Sequence, residues 1–235
     1  MRPGLHRSGS LLHRGGRRSA GRDGGHVSTH RNPYEETARA DGLAVGLAHA
    51  LEGIDIQAAA PGGFAAVPAA WAGPEADLRR LRLADLEGVV FVRRDPLRAH
   101  DAQAAALARR RLAHVRLGLA RRLLDRATKH LGARTAGEEP LIRKQMVIAT
   151  VADVMTGLEL LHHQAVVADD GSGLADVHLL LDELGWEIAR LFGAFGYIAD
   201  DEAARSLYVS ALVANTWVAT SEHERDEREE GEADG

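Results

Sequence analysis

Beyond Pro96 the apolar residues keep a helical period, interrupted only by short connections marked by glycine and proline, so most of this chain must fold as packed antiparallel helices. Leu112, Val115, Leu119 and Leu123 recur at intervals of three and four, and Leu117, Ala120, Leu124 and Ala127 widen the stripe. They predict a first long helix from about Ala102 to Leu131. Gly132 and Gly137 bracket a connection, and Pro140 suits the first turn of a second helix ending near Val167, with Val147, Val151, Val154, Leu158 and Leu161 on one side. After a turn at Asp169-Asp170-Gly171-Ser172-Gly173, a third helix carries Leu174, Val177, Leu181, Leu184, Ile188 and Leu191. A glycine-containing break at Gly193 to Tyr197 and acids at Asp200 and Asp201 introduce a fourth, through Leu207, Leu212 and Val213. The expected fold is mainly α: an up-and-down four-helix bundle over 99–221.

The remainder divides by composition. Residues 1–31 are Gly, Arg, Ser and His with few large apolar residues, and read as a disordered basic tail or an upstream extension of the reading frame. They lack the apolar core of a secretory signal, and their glycines weaken a mitochondrial-type amphipathic helix. Over 32–98 a short helix with Leu43, Leu47 and Leu51 precedes a stretch of chain breakers. There Leu81, Leu83 and the run Val89 to Val92 read as short strands, a small β remnant. Residues 222–235 read as a disordered acidic tail. The absence of cysteine excludes disulfides, thiolate metal sites and a cysteine nucleophile, and a reducing cytoplasm is the simplest location. The net charge of −5 hides a basic first segment and an acidic end, so it predicts no partner. The N-terminal arginines have no aromatic platform or folded reader beside them, which argues against nucleic-acid binding, and no segment is apolar enough for a membrane.

Three segments of the bundle carry a resemblance. The first runs from Gly118 through Asp125 and Lys129 to Arg134, continuing to Pro140, Leu141 and Gln145, with Arg134 and Gln145 eleven residues apart. The second is Leu191-Phe192-Gly193-Ala194-Phe195-Gly196-Tyr197, and the third is Leu207-Tyr208 followed by Thr220-Ser221-Glu222. Together they resemble the C-terminal helical-bundle domain of the acyl-CoA dehydrogenase family, with the strands between Leu78 and Leu97 matching the end of that family's middle β domain.

The resemblance implies a FAD-dependent oxidoreductase that removes a proton and a hydride from adjacent carbons of an acyl thioester, with a carboxylate as base and flavin N5 as hydride acceptor. It implies that the bundle assembles oligomers and holds the adenine dinucleotide half of a neighbouring subunit's FAD. By position Arg134 would meet the pyrophosphate, Gly193 and Gly196 would let backbone approach the cofactor, and Gln145 keeps the family's interval. Arg190 replaces a family glutamine and reads either as a phosphate contact or as a surface charge.

The chain also departs from the pattern. Gly137 and Glu138 replace the family's phenylalanine and glycine after the motif arginine. The two usual positions of the catalytic carboxylate fall on Val218, or Trp217 if shifted by one, and on Ala108; none of these can take a proton. Glu222 is the nearest acid to the closing position. The chain before Asp101 is too short for the family's N-terminal helical domain and most of its flavin-gripping β domain.

Other residues have plainer readings. Adjacent His162 and His163 point about 100° apart on a helix and cannot chelate one ion between them, so they read as solvated or capping groups and no metal site is expected. Arg109, Arg110, Arg111, Arg116, Arg121 and Arg122 read first as a solvated helix face and second as the lining of a cleft for a polyanion, and Phe192, Phe195 and Trp186 read as core. The leading functional expectation is a degenerate subunit of a flavin-dependent acyl thioester dehydrogenase that forms a homo- or hetero-oligomer and contributes to a partner's FAD site. The alternatives are an active acyl-CoA or acyl-carrier dehydrogenase with a relocated base, and a non-catalytic oligomerisation bundle.

Overall fold

The computed structural model describes residues 32–73, 76–168, 172–197 and 202–218. The expectations for both tails, for residues 169–171 of the turn, for Asp200 and Asp201, and for Thr220, Ser221 and Glu222 lie outside them, while Ser172 and Gly173, expected in that turn, are already helical. The helical expectation holds. Helix α5 (Ala102–Gly132) is capped by Asp101, whose side chain accepts from the Ala104 amide at 2.9 Å. Its residues 112–120 are all buried. A helix with one solvated face cannot bury nine successive residues, so α5 must be covered on every side.

Three of its covers are the expected helices: α6 (Gln145–Val167) runs antiparallel to α5, α7 (Ser172–Leu191) parallel to it, and α8 (Glu202–Trp217) antiparallel again. The remaining side is taken by α1 (Pro33–Asp41), α2 (Leu43–Leu51) and the single turn α3 (Ile56–Ala59). The single short helix expected before Gln57 is two, because Gly42 stands at φ 89° and turns the chain between them. Arginines of α5 meet the C-terminal carbonyls of both: Arg122 donates to the oxygens of Arg39 and Ala40, and Arg111 to those of Ala50 and Glu52. Much of the arginine face read as solvated is therefore an internal capping surface.

Gly118 brings α1 onto α5. A Cβ there would overlap the Glu35 carbonyl oxygen and press on Ala38. Gly118→Ala should force the two helices apart and cost about 1–3 kcal/mol, read as a lower urea midpoint at unchanged slope. An unchanged midpoint would show that the contact is soft.

The β remnant is a three-stranded antiparallel sheet in the order β1 (Phe64–Pro68), β3 (Val89–Arg93), β2 (Leu78–Arg79), with Val67 opposite Val90. Leu83, expected in a strand, lies in the short helix α4 (Arg82–Leu86). The alternation of Leu81 and Leu83 stops at Ala84, and the spacing of three between Leu83 and Leu86 suits a helical turn instead. The free edge of β1 is closed by α8: Thr216 Oγ1 accepts from the Ala66 amide at 3.1 Å, and Trp217 Nε1 donates to the Ala66 carbonyl at 2.9 Å. Pro140 does not open the second helix. Strands β4 (Thr135–Ala136) and β5 (Glu139–Pro140) form a small hairpin around Gly137, a 3-10 turn covers Leu141–Arg143, and α6 begins at Gln145. A glycine at φ 73° in the first place of a two-residue turn is a hairpin signal that the helical reading passed over.

Candidate functional site

The residues to which the resemblance gives a cofactor role gather at one end of the bundle. With α5 and α7 parallel and α6 antiparallel, the C-termini of α5 and α7 and the N-terminus of α6 lie together. Arg134 therefore follows α5, Gln145 opens α6 in an exposed position, and Arg190 and the Gly193 turn close α7. Arg134 Nη1 donates to His130 Nε2 at 3.3 Å, and the His130 ring lies 5.7 Å from the Phe192 ring, next to Gly193. One imidazole thus links the motif arginine to the glycine turn. Lys129 and Arg143 stand in the same two segments of chain, and Lys144 is paired with Glu139 at 2.6 Å.

The two glycines differ. Gly193 has φ 63° and open space where a side chain would be. Gly196 is buried, and a Cβ there would overlap the Ala189 carbonyl, so packing against α7 by itself requires the glycine. Arg190 is exposed and held by Glu187 at 2.7 Å, one turn away on the same helix. Of the two positions that the resemblance marks for a base, Ala108 is fully buried and Val218 follows α8 half-buried.

A cavity of about 520 Å³ lies between α4, α5, α7 and α8. Its wall is mostly apolar, with Leu119, Leu181 and Leu207 inside and Trp186 and Tyr208 toward solvent. Trp186, expected in the core, is 60 % exposed, and it faces this opening because its α7 neighbours Leu181 and Ile188 take the inward positions. Arg116 stands at the polar side of the cavity. Read from sequence as part of a solvated face, it is 4 % exposed. Its Nε donates to Ser210 Oγ at 3.0 Å, Nη1 to the His178 carbonyl oxygen at 3.0 Å, and Nη2 is ion-paired with Asp182. Nη1 also faces His178 Nδ1 at 3.0 Å. A guanidinium only donates, so Nδ1 must accept and the ring proton sits on Nε2, which faces the Arg109 carbonyl oxygen at 3.4 Å. Burial first, and then the Arg116 charge, push the His178 pKa down to about 3. The cavity's size and lining suit an apolar chain, while its charged wall is already satisfied internally.

Sequence reasoning missed a second group. His162 does not stand in solvent: its Nδ1 lies 2.8 Å from Glu35 Oε2, and its ring meets that of His114 edge-on at 5.6 Å. Glu35 also pairs with Arg121, which reaches Glu159 at 2.8 Å on its other side. Glu35 and His114 gave only one signal, a carboxylate in the first turn of a short helix and a histidine on the apolar side of a long one. Neither points to the other without the α1–α5 packing.

No family model matches the sequence, and no curated protein matches it at a significant level. Solved structures do. Its similarity is to the acyl-CoA dehydrogenases. A steroid acyl-CoA dehydrogenase variant is 22 % identical with a TM-score of 0.49, over 68 % of this chain and 50 % of its own. Butyryl-CoA dehydrogenase from Megasphaera elsdenii is 16 % identical with a TM-score of 0.48, over 68 % of this chain and 46 % of its own. The prolyl acyl carrier protein oxidase AnaB is 16 % identical with a TM-score of 0.46, over 65 % and 48 %. The chain spans about half the length of these acyl-CoA dehydrogenase-like structures.

Proposed function

We propose that this chain is an acyl-CoA dehydrogenase-like subunit that assembles with a flavin-bearing partner and contributes to the adenine dinucleotide side of that partner's FAD site. The observation that carries the reading is the meeting of Arg134, His130 and the Gly193 turn at one basic end of the bundle. An exposed guanidinium beside open backbone at positive φ suits a pyrophosphate. Gly196 gives no support, since its packing already accounts for it, and Arg190 is engaged by Glu187. Among the described residues, a three-stranded sheet and a two-stranded hairpin do not enclose an isoalloxazine, so the ring side of the site is assigned to the partner.

FAD, where bound, would supply the hydride acceptor. The residues of this chain would hold the dinucleotide: Arg134 and the neighbouring cations neutralise phosphate charge, and the Gly193 turn lets it approach the backbone. Among the described residues none is assigned as the base: Asp182 is the one carboxylate among the cavity-lining residues, and it is committed to buried Arg116 as its counter-ion. A surface for assembly is available on α6 and α7, where Met155, Leu160, Val166, Leu179 and Trp186 are exposed.

Co-expression with a full-length acyl-CoA dehydrogenase from the same genome tests the reading. The expected product is a yellow hetero-oligomer, in which Arg134→Ala weakens flavin retention about tenfold or more, the scale of one lost charge-assisted contact. A colourless, unassociated chain sinks the proposal.

A further inference from the structure

Away from the bundle end and the cavity, three helices each send one ligand-type side chain to a single point. Glu35 comes from the first turn of α1, His114 from the middle of α5 and His162 from the last turns of α6. One nitrogen of each imidazole and one carboxylate oxygen lie within 4.8 Å of one another. His114 Nδ1 is buried without a hydrogen-bond partner, and its side chain is 4 % exposed. A buried imidazole nitrogen left without a partner costs free energy unless something meets it.

We propose that Glu35, His114 and His162 bind a divalent late first-row transition ion of the zinc class, which clips α1 and α6 to α5. Two imidazoles and one carboxylate select such an ion over magnesium or calcium, which take oxygen ligands. Zinc–ligand distances of about 2.0–2.2 Å in a tetrahedral site put ligand atoms about 3.4 Å apart. The separations from Glu35 Oε2, 2.8 Å to His162 Nδ1 and 4.0 Å to His114 Nδ1, bracket that spacing. Rotamer-scale adjustment is enough to reach it.

The surroundings favour the ion. Arg121 holds the other oxygen of Glu35 and so orients the carboxylate toward the histidines, the outer-shell role that a metal ligand needs. Glu159 offsets the Arg121 charge. On binding, the ion would replace the proton between His162 Nδ1 and Glu35, leaving that imidazole as the Nε2–H tautomer. Three protein ligands leave a fourth position for water. This site does not depend on the dehydrogenase reading.

The test uses the full chain, without an affinity tag and stripped of metal, titrated with Co²⁺ and Zn²⁺. One equivalent should bind, Co²⁺ should show the intense visible bands of low coordination number, and Zn²⁺ should raise Tm while Mg²⁺ does not. His114→Ala and His162→Gln should each weaken binding by at least about 100-fold, more than the loss of an outer-shell partner does. His163→Ala should leave binding unchanged. His162→Gln keeps the half-buried position filled, so it decides the matter even if the His114 variant fails to fold. Absence of stoichiometric binding, or a His162→Gln chain that binds as tightly as the parent, overturns the proposal.

Discussion

Lowering the pH from 7 to 4 should remove about 3–6 kcal/mol of stability, a large part of the total for a domain of this size. His114 and His178 are buried uncharged, with pKa values pushed down to about 4 and about 3, whereas in the unfolded chain both titrate near 6.5. Between those limits the unfolded chain binds more protons than the folded one. Stability therefore falls as pH drops below about 6.5 and levels off only beneath the folded-state values. Each histidine contributes at most about 1.4 kcal/mol per pH unit. Carboxylates act in the same direction but later: Arg121 holds the Glu159 carboxyl below its usual range, and the stability from that pair is lost as pH falls through the lowered value. Urea midpoints at pH 7, 5.5 and 4 would show the slope. His178→Gln, whose amide can accept from Arg116 and donate to the Arg109 carbonyl, should flatten it by about one proton. A flat profile in the parent chain would mean that these imidazoles become hydrated without unfolding.

Asp182→Ala should cost about 3 kcal/mol, because it leaves a guanidinium buried in the bundle without its counter-ion. Ser210 and the His178 carbonyl oxygen would keep their hydrogen bonds to Arg116, but neither carries charge. Replacing both partners, as in Arg116→Met with Asp182→Leu, should recover most of the loss, since apolar groups of similar volume fill the space without a desolvation cost. Chemical denaturation of the single and double variants separates the two effects. A single variant within about 0.5 kcal/mol of the parent would show that water reaches Arg116 through the neighbouring cavity.

The helices were legible because their apolar stripes are periodic, and Val154, Leu158 and Leu161 of α6 are buried as that period requires. What covers α5 was not. The arginines at positions 116, 121 and 122 repeat like a solvated face, and only the acids and carbonyls that other helices bring to them turn that face inward. Glu35, Asp182 and Glu202 lie 86, 66 and 76 residues or more from the arginines they meet when α5 is folded against α1, α7 and α8, and no local pattern encodes such pairings. For the candidate site, Arg134, Gln145 and the Gly193 turn were readable from spacing, and the structure puts them at one end. His130 between them was not singled out, because its role depends on Phe192 arriving from another helix. The group of Glu35, His114 and His162 was unreadable for the same reason.

The attachment of α8 to Ala66 bears on how the chain is made. Thr216 and Trp217 emerge from the ribosome about 150 residues after the strand whose edge they close. At about 5–20 residues per second, that edge stays open for roughly 10–30 s of synthesis. During this interval β1 offers its backbone to any extended segment nearby, so the nascent chain depends on slow pairing or on a chaperone until its last described helix arrives.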